Sequence, residues 1–142
     1  MRNLEINKGY KEYTINGDEA KVIRVKTTDF SLIDNLRNFE KKVITVAEEL
    51  DELKNTDDAD VILEKIKAAD KKVKAELDMI FDDNVSEVVF GSMNCLSYTD
   101  GQPVAYGFIE AIIPEIEKDL KAEGKAAQKR IEKYSNAAKQ FK

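Results

Sequence analysis

Apolar and polar residues alternate near the start of the chain, and from about residue 28 the apolar residues adopt a helical spacing. In "EYTINGDEAKVIRV", Tyr13 and Ile15 alternate with polar residues up to Asn16-Gly17, a dipeptide typical of tight hairpin turns. This pattern predicts an antiparallel β-hairpin in which Tyr13 and Ile15 share a face with Ala20 and Val22. The preceding "NLEIN" suggests a further edge strand. Because so small a sheet is marginal on its own, we expect it to pack on the helices.

Two seams of apolar residues, spaced by three and four, predict a helical hairpin over residues 28–83. The first seam comprises Leu36, Phe39, Val43, Val46, Leu50 and Leu53. The second comprises Ile62, Ile66, Ala69, Val73, Leu77 and Ile80. We expect Thr28 or Asp29 to cap the first helix and Thr56 to cap the second, with Asp57 and Asp58 in its first turn.

A short helix and a connector are predicted over residues 84–103. Asp82 to Asn84 is expected to end the second helix, and Ser86 with Glu87 to open a short helix that stops at Gly91. In the following "GSMNCLSYTDGQP", Asp100-Gly101 is predicted as a turn, with Asp100 capping a helix that begins near Gln102-Pro103. The apolar side chains expected to pack this connector onto the core are Met93, Leu96 and Tyr98.

The longest apolar face predicts a C-terminal helix over residues 104–142. It comprises Val104, Phe108, Ile112, Ile116 and Leu120, flanked by Ile109 and Ile113. Pro114 lies inside this pattern, so we expect a kink near Glu110 or a division into two helices. A thinner stripe, made of Ile131, Tyr134, Ala138 and Phe141, continues to the end of the chain.

These elements together predict an α+β fold, with a small N-terminal antiparallel hairpin packed on a mainly helical domain. The expected single domain, 1–142, divides into a β-sheet region (1–27), a helical hairpin (28–83), a short helix and connector (84–103) and the C-terminal helix (104–142). The length of 142 residues suits one core.

Charge is distributed unevenly along the chain and suggests two partner surfaces. The net charge is −5, yet residues 121–142 hold seven basic residues against two acidic ones, which leaves −10 for the first 120 residues. One candidate surface, the acidic tip, comprises Glu48, Glu49, Asp51, Glu52, Asp57, Asp58 and Asp60. The other, the basic tail, comprises Lys125, Lys129, Arg130 and Lys133. The simpler interpretation of both is a solvated helix end, and the split also suggests head-to-tail self-association.

The sequence offers little support for catalysis. Histidine is absent, so a Cys-His or Ser-His nucleophile and a Cys/His zinc site cannot be built. The single Cys95 is interpreted as a small buried apolar residue. The stretch "NTDDAD" lacks the glycine and closing glutamate of a calcium loop, and no glycine-rich phosphate-binding motif occurs. We therefore expect a non-enzymatic protein with no cofactor, no metal site and no membrane-spanning segment; the acidic balance argues against general affinity for nucleic acid.

Several short motifs resemble a known family. They are "YTING", "DFSLIDNLRNFEKK", "IFDDNVSEVVFGSMN" and "YGFIEAIIPEIEK", which together span most of residues 13–118. In this order they resemble the tail assembly chaperones of Gram-positive phages and prophages. Where that family is expected to carry a glycine-bearing turn like "FGEG", this chain has "FDDN". The resemblance implies a non-enzymatic protein of the host bacterial cytoplasm that coats the tape-measure protein and recruits tail tube subunits.

Two other functions remain open at this stage. The protein could instead be a structural tail or connector subunit that stays in the virion. From a different class, it could be a small regulatory protein that binds nucleic acid through its basic C-terminal helix, and strongly salt-dependent binding would distinguish this.

Overall fold

Helices dominate the structure, a computed structural model that describes residues 1–55 and 58–140, without the side chains of 137–140. In chain order the elements are β1 (Tyr10–Ile15), β2 (Asp18–Lys26), α1 (Phe30–Leu53), α2 (Ala59–Phe81), α3 (Val85–Phe90), β3 (Tyr98–Thr99), β4 (Gln102–Pro103) and α4 (Val104–Gln140). The predicted α+β fold is confirmed: an antiparallel hairpin at the N-terminus accompanies a mainly helical body with a long C-terminal helix.

The β1–β2 hairpin forms with a different register from the predicted one. Asn16 and Gly17 make its two-residue turn, with φ angles of 52° and 76°, as the dipeptide indicates. Ile15 pairs with Asp18, but Thr14 pairs with Val22, so β2 has three extra residues at this irregularity. Because successive side chains of a strand alternate between its two faces, an insertion of an odd number of residues moves all later side chains of β2 to the opposite face.

The inward face of β2 therefore carries Ile23 and Val25, which are 2% and 0% exposed, whereas Val22 is 39% exposed. The predicted partnership of Tyr13 with Ala20 and Val22 is wrong; Tyr13 pairs with Ile23. The suggested strand in "NLEIN" is also wrong, because residues 1–9 form no strand. Leu4 and Ile6, the apolar residues of this segment, are exposed. Gly9, at φ 74°, turns the chain just before β1, and a side chain there would collide with Thr28.

Helices α1 and α2 pack against each other along the predicted seams. The buried seam residues are Leu36, Phe39, Val43, Val73 and Leu77. Asp29 caps α1 by accepting a hydrogen bond from the Ser31 N–H at 2.9 Å. The predicted cap Thr56 lies outside the described residues, as does Asp57. Asp58, expected in the first turn of α2, is its N-cap and accepts from the Asp60 N–H at 3.0 Å.

The connector between α3 and α4 contains a small hairpin that the sequence did not predict. Asp100 and Gly101 form its turn, as expected, but β3 and β4 flank them, so the predicted capping role of Asp100 is wrong. The first N–H groups of α4 donate hydrogen bonds to carbonyls of the connector instead. The Val104 N–H donates to the Ser97 carbonyl at 2.9 Å, and the Ala105 N–H donates to the Cys95 carbonyl at 2.8 Å. These two bonds fix the point at which α4 starts.

Helix α4 runs without interruption through Pro114, so the predicted division into two helices does not occur. Its buried apolar residues, Ala105, Ile109, Ile112, Ile113 and Ile116, complete a core shared with α1, α2, α3 and β2. Beyond Leu120 the helix leaves the core, and every described side chain from Lys121 to Asn136 is exposed. We call residues 121–140 the α4 extension. None of the helices in the described part of the chain combines the length and the apolar character needed to cross a membrane.

Candidate protein-interaction surfaces

The acidic tip lies where α1 ends and α2 begins. Its described members, Glu48, Glu49, Asp51, Glu52, Asp58 and Asp60, are all exposed, and Asp57 lies outside the described residues. Lys54 approaches one of them, with its Nζ 3.1 Å from the Asp51 Oδ1. No basic residue occupies the last turn of α1, and Lys54 at the C-cap partly offsets the acids facing the negative end of the helix dipole. The tip is a surface at which a cation would be favoured.

The α4 extension carries the basic tail on a helix with an apolar seam. Lys125, Lys129, Arg130 and Lys133 are all exposed. Ile131 and Tyr134 are 67% and 61% exposed. The Arg130 Nε donates to the Tyr134 hydroxyl at 3.3 Å, and the guanidinium lies 5.7 Å from the ring centroid.

Ile131 and Tyr134 continue the buried seam of α4 beyond the core. After Ile113, Ile116 and Leu120, steps of four and three lead through Gly124 and Ala127 to these two residues. Such spacing is typical of a helix that pairs with another helix. The core covers the first half of the seam, and no described residue covers the second half.

The two charged surfaces lie at opposite ends of the molecule. Arg37 of α1 pairs with Glu117 of α4, while the Glu40 carboxylate, followed by burial, raises the pKa of Tyr106 near the start of α4. The two helices are therefore antiparallel, so α4 extends beyond the end of the body away from the tip. At 1.5 Å per residue, Glu49 and Lys133 are about 40 Å apart along this axis.

An apolar groove of about 470 Å³ lies between the β1–β2 hairpin, α3, the β3–β4 hairpin and the first half of α4. We call it the α3–α4 groove. Its aromatic lining comprises Tyr13, Phe90 and Phe108, and Phe90 meets Phe108 edge-on with ring centroids 6.2 Å apart. Burial first, then the Asp119 and Glu115 carboxylates, raises the pKa of Tyr13. Asp100 and Glu115 lie at the groove, and its described lining includes no lysine or arginine.

A sequence pattern does not predict this groove, because four separate elements build it. The one local signal for it is the long apolar face of α4. Val104, Phe108 and Ile112, which belong to the predicted apolar face of the C-terminal helix, line the groove.

A polar network holds the connector against α2. Asp70 Oδ1 accepts from the Cys95 N–H at 2.8 Å, and Asp70 Oδ2 lies 3.1 Å from the Lys74 Nζ. Lys74 in turn donates to the Met93 carbonyl at 2.7 Å. Leu96 is buried as predicted, but the predicted packing of Met93 and Tyr98 on the core is wrong: they are 44% and 53% exposed. The backbone contacts, rather than these side chains, anchor this part of the connector.

Cys95 sits inside the fold and is not poised for nucleophilic chemistry. It is 0% exposed, which confirms its interpretation as a small buried residue. Burial, followed by the Asp70 carboxylate, raises the pKa of its thiol to about 12. Since the thiolate is the reactive form, this environment suppresses its reactivity.

Among the described residues, no group of three or more histidine, cysteine, aspartate or glutamate side chains is arranged to hold a metal ion. Comparison of the chain with protein-family models, with curated protein sequences and with solved structures gives no match. The charged ends and the α3–α4 groove are thus the features from which a function can be argued.

Proposed function

We propose that this protein is a non-enzymatic assembly chaperone of a phage or prophage tail, which binds tape-measure and tail tube proteins in the host bacterial cytoplasm. The observation that carries the proposal is the α4 extension. It is a long helix with an apolar seam and five basic residues between Lys121 and Lys133, and every described side chain in it is exposed.

A helix of this length gains little stability without a partner. Most helical stability in proteins comes from packing an apolar face on a partner rather than from intrinsic helix propensity. The exposed Ile131 and Tyr134 provide such a face. A second helix laid along this seam would bury it, and the tape-measure protein implied by the resemblance is a long helical chain.

The motifs behind the resemblance also have clear structural roles in this chain. Gly91 of "VVFGSMN" ends α3 at φ 58°, a conformation that favours glycine. Asp82 of "FDDN" ends α2 in the left-handed conformation, at φ 52°. The turn for which the family is expected to carry glycine thus has a glycine-like backbone here, which supports the resemblance.

Co-purification tests this proposal. The tagged chain is expressed in cells carrying an induced Gram-positive prophage, and bound proteins are identified by mass. Recovery of the tape-measure or tail tube protein is expected, and its loss on deleting residues 124–142 would locate the contact. Failure to recover any tail protein would contradict the proposal. Presence of the chain in mature particles would favour the alternative of a structural virion subunit.

The basic tail is the one observation that favours nucleic-acid binding. Four exposed basic side chains on one helix can contact phosphates, and such contacts weaken steeply with salt. Titration of labelled RNA and DNA with the purified chain at two salt concentrations separates this function from the chaperone. Tight, salt-sensitive binding that requires residues 124–142 would support it instead.

A further inference from the structure

We propose that the α3–α4 groove binds the α4 extension of a second copy of this chain, so that copies associate head to tail. Both surfaces are apolar, both lack a partner within the described chain, and their charges are opposite. The proposal gives the seam of the α4 extension a different occupant from the tape-measure helix considered above, and it can be tested on the purified chain without any tail protein.

The groove has the shape and lining of a helix-docking site. It is an open depression of about 470 Å³, and the aromatic residues in its lining are Tyr13, Phe90 and Phe108. Amphipathic helices bind such grooves through side chains spaced at i, i+4 and i+7. Ala127, Ile131 and Tyr134 have this spacing on the extension, and the last two are more than half exposed.

Charge favours the pairing of the extension with the groove over its pairing with a second extension or with the depression beside the acidic tip. The groove carries Asp100 and Glu115 without a lysine or arginine in its described lining, whereas residues 121–136 hold five basic residues against two acidic ones. Two extensions would therefore repel each other. The larger depression of about 570 Å³ beside the acidic tip is lined by four lysines against two glutamates, and so disfavours the extension.

The geometry requires two copies and excludes a simple reciprocal dimer. The groove is formed partly by the first half of α4, and the extension continues the same helix away from it, so one chain cannot fill its own groove. At 3.6 residues per turn, Ala111 in the groove and Ile131 on the seam point about 160° apart. Two straight α4 helices side by side cannot satisfy both contacts, and a head-to-tail contact forms rings or open chains.

Two single substitutions test the two surfaces of the interface one at a time. Ala111→Lys places a cation in the groove at an exposed helix position, and Ile131→Glu places an acid in the seam. Each variant should be monomeric in size-exclusion chromatography with light scattering, with self-association weakened at least tenfold. The native chain should form species larger than a dimer that dissociate as the salt concentration rises.

Mixing the two variants provides the sharpest test. Ala111→Lys retains its extension and Ile131→Glu retains its groove, so the mixture should form a one-to-one dimer that grows no further. Met79→Glu, at an exposed apolar residue of α2, is the matched control and should associate like the native chain. Circular dichroism verifies that each variant is folded.

Several results would overturn the proposal. A native chain that stays monomeric at about 200 µM and low salt has no such interface at meaningful affinity. Undiminished association of Ala111→Lys would show that the groove is not the receiving surface. Loss of association in Glu48→Lys with Glu52→Lys, at the acidic tip, would place the contact there. A mixture that remains monomeric would exclude the head-to-tail pairing.

Discussion

At the scale of single residues, Asp70 links the connector to α2. It accepts the Cys95 N–H and pairs with Lys74, and its side chain is only 15% exposed. Asp70→Ala would leave that N–H unpaired and Lys74 without its counter-ion. We expect the free energy of unfolding to fall by about 1–3 kcal/mol, measured by urea denaturation. Asp34→Ala, at an exposed position of α1, should change it by less than about 0.5 kcal/mol.

Cys95 allows a prediction about reactivity. With a pKa of about 12 against an ordinary value of 9.0, the native thiol at pH 8 is ionised about 1,000-fold less than an exposed one. Alkylation by iodoacetamide, followed by mass spectrometry, should therefore be at least a hundredfold slower in the native protein than in urea. Comparable rates in the two conditions would mean that the connector opens readily.

Residue-level prediction succeeded where composition alone decided the outcome. Cys95 is small and apolar, and the absence of histidine removes the usual partner of a catalytic thiol, so its burial could be predicted. Met93 and Tyr98 also have large apolar groups but are exposed: Lys74 holds the connector through the Met93 carbonyl rather than its side chain, and Tyr98 lies on the exposed strand β3. A sequence pattern carries no information about such a backbone contact.

At the scale of elements, the register of the β1–β2 hairpin decides which side chains reach the core. Val25→Ala removes buried methyl groups at a site that is 0% exposed, so we expect a loss of about 2 kcal/mol in the free energy of unfolding. Val22→Ala, on the other face, should cost less than about 1 kcal/mol. Urea denaturation measures the free energy of unfolding of both variants. A larger loss in Val22→Ala than in Val25→Ala would instead support the register predicted from sequence.

The helices could be predicted and the strand register could not, for a physical reason. Apolar spacing over more than twenty residues fixes which face of α1 or α2 is buried, and small local irregularities do not change it. In a hairpin, by contrast, one irregularity of three residues moves every later side chain to the other face. The β3–β4 hairpin has only two residues in each strand, too few for an alternating pattern.

The α4 extension should contribute almost nothing to the stability of the body. Every described side chain from Lys121 to Asn136 is exposed, so no core contact is lost when residues 124–142 are deleted. At a protein concentration low enough to keep the native chain monomeric, we expect the melting temperature to change by less than about 4 °C, while the helical circular dichroism signal per molecule falls. A much larger fall in the melting temperature under these conditions would show that the extension packs on the body of its own chain.

At the scale of the whole molecule, the sequence indicated the two charged ends but not how they are arranged. The charge split could be counted directly, whereas the antiparallel packing of α1 and α4 that separates the ends follows from tertiary contacts such as Arg37 with Glu117. The α3–α4 groove depends on still more elements meeting. Local patterns therefore located the candidate surfaces along the chain, and only the fold gave their relation in space.

One ion pair joins the N-terminal hairpin to α4 and makes the stability of the whole molecule sensitive to acid. The Lys11 Nζ lies 2.8 Å from the Asp119 Oδ2, on a carboxylate that is 11% exposed. The Lys11 ammonium, followed by the Thr27 hydroxyl, holds the pKa of Asp119 below its ordinary value of 3.8. As the pH falls through 3.8, the unfolded chain takes up this proton before the folded one, so the stabilisation present at higher pH is progressively lost.

Asp119→Asn removes the titrating carboxylate, so its contribution appears as the difference in the free energy of unfolding between the native chain and the variant. At pH 7 the variant should have the lower free energy of unfolding, because Lys11 loses its charged partner. The difference should stay constant down to about pH 5 and shrink as the pH falls below about 4, where the native carboxylate protonates on unfolding. Urea denaturation at a series of pH values measures it, with Asp34→Asn as the control at an exposed site. A difference that persists unchanged at pH 3 would mean that Asp119 acts through packing rather than through its charge.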